Sequence, residues 1–184
     1  FYQSEANMPM MGPNYYEMNL DKVVGLAYWG MIDYLGESLG WPKKGWDNGV
    51  FDISLEPKPQ AYFLKSIFSD KPVVHIGVTD SKDDAEMWNG VKFDGDRISD
   101  HWNRTPGKKY TVYTYTNAEE VELYRNGKSL GIKKNSLDPK VRNKIKWTDI
   151  IFQKGVLEAV ARTNGKIVAS HKIETAGAPK ELKL

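Results

Sequence analysis

Five carboxylates, Glu5, Asp33, Glu37, Asp47 and Asp52, stand among Tyr28, Trp29, Tyr34, Trp41 and Trp46 in the opening stretch of this 184-residue chain. Carboxyl groups beside indole rings are what a sugar site needs. The C–H faces of a pyranose stack on aromatic rings, while acids protonate the glycosidic oxygen or attack the anomeric carbon. In a glycine-rich loop the same residue types serve equally for packing and for Asx turns. Type and spacing alone leave both readings open.

Other chemistries find less support. Cysteine is absent, which removes disulfides, thiol catalysis and thiolate zinc sites and leaves the compartment open. His75, His101 and His171 are too far apart in sequence for a local metal motif, and neither a phosphate-cradling glycine loop nor a G-x-S-x-G elbow occurs. No metal and no cofactor is expected. Net charge is +2, which argues neither for nor against an anionic partner. A basic run from Arg125 to Lys146, with Asp138 its single acid, could contact phosphates or an anionic polysaccharide. No aromatic platforms are interleaved with it, so a solvated face is expected and nucleic acid is not.

The elements that must position these residues change character along the chain. Residues 1–69 carry 5 Lys/Arg against 8 Asp/Glu, and residues 70–184 carry 21 against 16. This shift suggests two regions. In the first, Val23 to Trp29 is an unbroken apolar run that suits a strand buried on both faces of a parallel sheet, although a buried helix would tolerate it. Asn14 to Lys22 suits a short helix. Leu35 to Leu55, broken by Gly36, Gly40, Pro42, Gly45 and Gly49, reads as loop. Pro57 and Pro59 then open a helix with Ala61, Leu64 and Phe68 on one face and Phe63 and Ile67 beside them. Strand, long loop and helix make a βα unit, and in a barrel of such units the loop after the strand lies on the catalytic side.

From Lys71 onward the pattern is of short alternating runs. Strands are expected over 73–78, 110–116, 121–124, 145–147, 156–162 and 167–173. Asn126-Gly127 and Asn164-Gly165 mark two hairpins, since Asn-Gly favours the type I′ turn. Six or seven strands in this length indicate an immunoglobulin-class sandwich, without the Cys–Trp–Cys core of antibody domains. Tyr113, Tyr115 and Tyr124 alternate as partly buried residues. The tail from 178 is expected to fray. The amino terminus shows no leader pattern and no window reaches the roughly 18 apolar residues of a membrane span, so a soluble chain is expected.

The stretch Gly25-Leu26-Ala27-Tyr28-Trp29-Gly30-Met31-Ile32-Asp33-Tyr34 resembles the eighth barrel strand of glycoside hydrolase family 2, β-galactosidase type, which ends in a Trp closely followed by an Asp. Gly49-Val50-Phe51-Asp52 through Pro57-Lys58-Pro59 to Lys65 resembles that family's barrel exit and last helix. Upstream, Gln3-Ser4-Glu5-Ala6 with Met11-Gly12-Pro13-Asn14 resembles the seventh strand, which bears the nucleophilic glutamate. Thr111 to Gly131, with its Thr116-Asn117-Ala118 and Asn126-Gly127-Lys128, resembles the β-sandwich that follows the barrel in gut-bacterial members.

The resemblance implies a mainly β chain: the last βα units of a (β/α)8 barrel in residues 1–69, an immunoglobulin-like antiparallel sandwich in 70–177 and a tail in 178–184. It implies Glu5 as nucleophile of a retaining hydrolase and Trp29 as floor of the subsite for the reacting sugar. Asp33 and Glu37 either bind sugar hydroxyls or brace the loop, and Trp41 and Trp46 belong to the rim. The family's acid/base is a Glu preceded by Asn, and no Asn-Glu pair occurs in these 184 residues. Retention needs two carboxyl groups about 5 Å apart, so the chain alone is expected to be inactive. Its partners would be a carbohydrate and the rest of a longer parent enzyme, periplasmic or secreted by resemblance. Without them exposed apolar surface is expected, and with it either self-association or partial disorder. The competing reading is a non-catalytic carbohydrate-binding or interaction module, which would show coplanar exposed aromatics on one sandwich face.

Overall fold

A computed structural model of the chain describes residues 2–6, 15–18, 21–36, 45–46, 49–79, 86–88, 91–93 and 98–178, with only the backbone described at 3–6, 26, 86–88 and 91–93. Strands β1 (Tyr2–Ala6) and β2 (Gly25–Tyr28) pair in parallel. A parallel pair cannot be closed by a tight hairpin and needs a crossover connection. Within that connection Tyr15–Glu17 forms a single 3₁₀ turn rather than the expected helix. Tertiary contacts outweigh local propensity there: Tyr15 packs edge-on against Phe68 at 5.0 Å, and the Tyr16 hydroxyl accepts from Asn143 Nδ2 at 2.8 Å. β2 is shorter than the expected 23–29. Nor is the run buried on both faces, for Val24 is 84% exposed. Among the described residues β2 pairs with β1 alone.

The long loop that follows contains a small ladder, β3 (Tyr34–Leu35) antiparallel to β4 (Gly45–Trp46). Helix α1 (Pro59–Phe68) starts at the second proline, whose missing N–H costs nothing in a first turn. Its buried residues are Pro59, Phe63 and Ser66, with Ile67 packed beside them. The expected face through Ala61, Leu64 and Phe68 is therefore not the buried one, and Phe68 is 62% exposed. The sheet beneath decides the matter by offering Tyr113, Tyr115 and Ile98 to Phe63.

The second region holds β5 (Val74–Thr79), β6 (Glu86–Trp88), β7 (Val91–Phe93), β8 (Ile98–Ser99), β9 (Lys109–Thr116), β10 (Glu120–Arg125), β11 (Lys128–Lys134), β12 (Lys144–Ile151), β13 (Val156–Thr163) and β14 (Lys166–Glu174). Two four-stranded sheets form, β12-β9-β5-β8 and β11-β10-β13-β14. Leaving β8 and the β6–β7 hairpin aside, the first, second and fifth strands lie in one sheet. The third, fourth, sixth and seventh lie in the other. The chain thus crosses between sheets as in an immunoglobulin-class sandwich.

Alternation dictates the core. Val74, Ile76, Val78 and Val112 point inward from one sheet to meet Val121, Leu123, Leu157, Ala159 and Ala161 from the other, and Trp102 and Trp147 fill the space between them. The opposite face of β5 and β9 carries His75, Gly77, Tyr113 and Tyr115 and is covered by α1, so these strands are buried on both sides. Gly77 is required by that cover. A Cβ there would sit 2.5 Å from Ile98 Cγ2 and 3.1 Å from Pro59 Cβ. Both Asn-Gly turns have positive φ at each residue, 51° and 76° at 126–127 and 52° and 71° at 164–165, as the type I′ turn demands.

Candidate active-site face of the parallel strand pair

The register of β1 and β2 sets Tyr2 opposite Gly25, Gln3 opposite Leu26 and Ala6 opposite Tyr28. Glu5 therefore lies at the carboxy-terminal end of β1, and Trp29 follows the carboxy-terminal end of its parallel neighbour. In α/β barrels this end carries the chemistry. Between Gln3 and Ala6 the register slips by one residue, so the irregularity in β1 spans Ser4 and Glu5. Such bulges re-aim side chains and recur beside active sites.

Trp29 is 51% exposed, a ring offered to solvent at the mouth of the pair. The chain turns immediately after it at Gly30, φ 66°, where a Cβ would lie 2.7 Å from Trp46 Nε1. The absent side chain lets the Trp46 indole settle on the backbone next to Trp29. Trp46 thus packs under the loop, and its buried Nε1 has no hydrogen-bond partner among the described residues.

Asp33 sits four residues beyond Trp29 with its carboxylate turned inward. Oδ1 accepts from the Gly49 N–H at 2.8 Å and Oδ2 meets Lys58 Nζ at 2.6 Å. These contacts brace the loop, one of the two roles open to Asp33. Asp52 is likewise a turn residue, its Oδ1 accepting from Ser54 N and Glu56 N. Burial pushes the Tyr28 hydroxyl up from its ordinary range. The side chain of Glu5, and Glu37, Trp41 and Asp47 altogether, lie outside the described residues. Among the described residues no group of three or more His, Asp or Glu side chains is arranged to hold a metal ion.

Two side-chain clusters were not visible in the sequence. His75 is buried and stacked between Tyr62 of α1, ring centroids 3.6 Å apart, and His171 of β14, 3.9 Å apart. His171 Nδ1 accepts from the Ile76 N–H at 3.1 Å, and Asp100 Oδ2 stands 3.7 Å from His75 Nε2. Burial, with His75 beside it, brings the His171 pKa down to about 4. Sequence separation concealed this pair, since two strands of different sheets supply it. The second cluster centres on Asn143, whose Nδ2 donates to the Tyr16 hydroxyl and to Ser66 O. It ties the sandwich both to α1 and to the segment before β2.

The basic run is dispersed rather than gathered. Lys133 reaches over the Trp147 ring at 4.9 Å, Arg142 over Tyr16 at 4.4 Å, and Arg125 donates to Ile151 O. Exposed large apolar side chains on the described sandwich residues are Ile132, Leu137, Val141, Ile151 and Ile167, all aliphatic. A sugar-stacking platform needs rings.

Comparison with known proteins agrees with this architecture. A family described as a domain of unknown function, DUF4982, matches residues 107–169. The β-galactosidase BoGH2A of Bacteroides ovatus is 34% identical over 167 residues, which is 89% of this chain and 17% of that protein. A solved glycosyl hydrolase family 2 member from Bacteroides cellulosilyticus superposes with a TM-score of 0.80 at 33% identity, covering 96% of this chain and 25% of that one. A solved β-glycosidase from Bacteroides vulgatus gives 0.64 at 31% identity, over 85% of this chain and 17% of that one. The chain thus spans a quarter or less of the length of each of these relatives. The superposition on the first of these structures takes in nearly the whole chain, and the chain belongs to glycoside hydrolase family 2 as a segment of its barrel end and following β-sandwich.

Proposed function

We propose that this chain is the part of a retaining, β-galactosidase-like glycosidase that supplies the nucleophile and the sugar-binding floor. The observation that carries this reading is the parallel register of β1 and β2, which sets Glu5 and Trp29 at one end of adjacent strands. Glu5 attacks the anomeric carbon to form a glycosyl-enzyme, which water then releases with help from a second carboxyl group. Trp29 stacks against the apolar face of the reacting sugar. Glu37 and Trp41 complete the rim, Trp46 supports it from beneath the loop, and Asp33 acts from behind it. The sandwich holds the exit helix. Because no Asn-Glu acid/base pair lies in these residues, the chain by itself is expected not to turn over.

The test uses the full-length polypeptide that contains this chain, assayed on aryl β-galactosides, with Glu5→Gln as the variant. Loss of the nucleophile is expected to lower kcat by about three orders of magnitude or more. Mass spectrometry after a fluorosugar inactivator should find the label on the peptide bearing Glu5. Undiminished turnover in Glu5→Gln, or a label elsewhere, removes the assignment.

A further inference from the structure

We infer that the Asp33–Lys58 ion pair is a positioning brace for Trp29, through which the docking of the exit helix on the sandwich sets the aromatic floor. That the floor receives a sugar rests on the function proposed above; the brace itself rests on geometry. Asp33 and Lys58 meet at 2.6 Å with side chains only 16% and 24% exposed. A charge pair this enclosed is stronger and more directional than a surface pair.

The brace closes a continuous set of bonds. Val50 N and Phe51 N both donate to Met31 O at 3.0 Å, Asp33 N donates to Phe51 O at 3.0 Å, and Lys58 N donates to Val50 O at 2.8 Å. Met31 to Asp33 is thereby stitched to Gly49–Phe51, and the stitch reaches the residue that precedes α1. Gly49 must be glycine for this approach, because a Cβ would fall 2.7 Å from Asp33 N. On the near side, Gly30 rests on Trp46. Trp29 is therefore clamped between two fixed points. At its other end α1 buries Phe63 against Tyr115 and offers Ser66 O to Asn143. Sandwich, helix, Lys58, Asp33 and Trp29 form one rigid path. Both oxygens of Asp33 are engaged along it, which assigns the residue a positioning role.

The experiment reads Trp29 directly in the full-length polypeptide. Its acrylamide quenching is taken as the difference between each protein and its Trp29→Phe counterpart. Asp33→Asn, which preserves shape, and Lys58→Met are each expected to raise that quenching by up to about twofold, the ratio of a free ring to one 51% exposed. Unchanged quenching in both variants overturns the inference, whatever the enzyme's activity. In turnover, Asp33→Asn should lower kcat/KM by about tenfold and have no further effect once Trp29 is Ala. An equal loss in both backgrounds would mean a general effect on folding and would also overturn it. Glu5→Gln reports separately on the nucleophile: full activity there defeats the proposed function and leaves the brace to the quenching result.

Discussion

Asn143 holds a left-handed backbone, φ 62°, while nearly every polar atom it has is bonded. Nδ2 donates to the Tyr16 hydroxyl and Ser66 O, Oδ1 accepts from Asn135 Nδ2 at 2.9 Å, and its own N–H donates to Asn135 Oδ1 at 2.8 Å. It is 3% exposed. Asn143→Ala keeps the unfavourable φ and removes these buried side-chain bonds, so a loss of about 2–4 kcal/mol is expected from urea denaturation. Asn143→Gly relieves the backbone without restoring the bonds and should recover only part of it. A loss below about 1 kcal/mol in Asn143→Ala would show the junction to be incidental. Nothing in the sequence marked this residue, which sits between Arg142 and Lys144 in a run that reads as solvated charge. Its partner Tyr16 is 127 positions away. The local motif marks Trp29 and Asp33, whereas the contacts of Asp33 were not legible, because Gly49 stands 16 positions further along the chain and Lys58 lies beyond the loop.

Elements declared by local chemistry were the most readable. The two Asn-Gly hairpins appear where the turn residues place them, and α1 begins at a proline. Its buried face was misread because the deciding partners, Tyr113 and Tyr115, belong to a strand far along the chain, and periodicity within ten residues does not choose between adjacent apolar faces. The seam between β5 and β14 is a further product of long range. There His171 Nδ1 accepts the Ile76 N–H, so the imidazole must remain neutral at that atom. Its folded pKa of about 4 lies below the ordinary 6.5. Between those values the unfolded chain binds a proton that the folded chain does not, so stability is complete above about pH 6.5 and falls as pH drops towards 4. The ring is only partly buried, and the discounted contribution is about 2 kcal/mol. Asp100, held below its ordinary range chiefly by His75, adds a loss in the same direction at still lower pH. His171→Gln keeps an acceptor without titrating and is expected to flatten the dependence above about pH 4.5. Urea midpoints that do not move between pH 7 and 4.5 in the natural sequence would refute this account.

On the scale of the whole molecule, apolar exposure is uneven. Tyr2, Val24, Trp29, Ile32, Leu35, Ile53 and Leu55 are exposed ahead of α1, whereas the described sandwich residues enclose a core running through both sheets. Contacts nonetheless run across the charge boundary near residue 69. Helix α1 covers the outer face of β5 and β9, Tyr62 stacks on His75, and Asn117 Nδ2 donates to Ser69 O and Lys71 O, which closes the helix–strand connection. Burying Phe63 and Ile67 there is worth a few kcal/mol, roughly 1.5–3 for each fully buried side chain. Limited proteolysis of the isolated 184-residue chain should therefore trim from the amino terminus and stop before Pro59, leaving α1 attached to the sandwich. Before trimming, the exposed apolar surface should drive concentration-dependent association in sedimentation velocity, and the trimmed core should be monomeric. Early cleavage between 69 and 73 that releases a stable sandwich would refute the attachment of α1. A monomer whose first 58 residues resist protease as well as the sandwich does would show that the strand pair needs no further cover. The expected pattern makes the exit helix a shared part, folded with the sandwich and aimed, through Lys58, at the loop of Trp29.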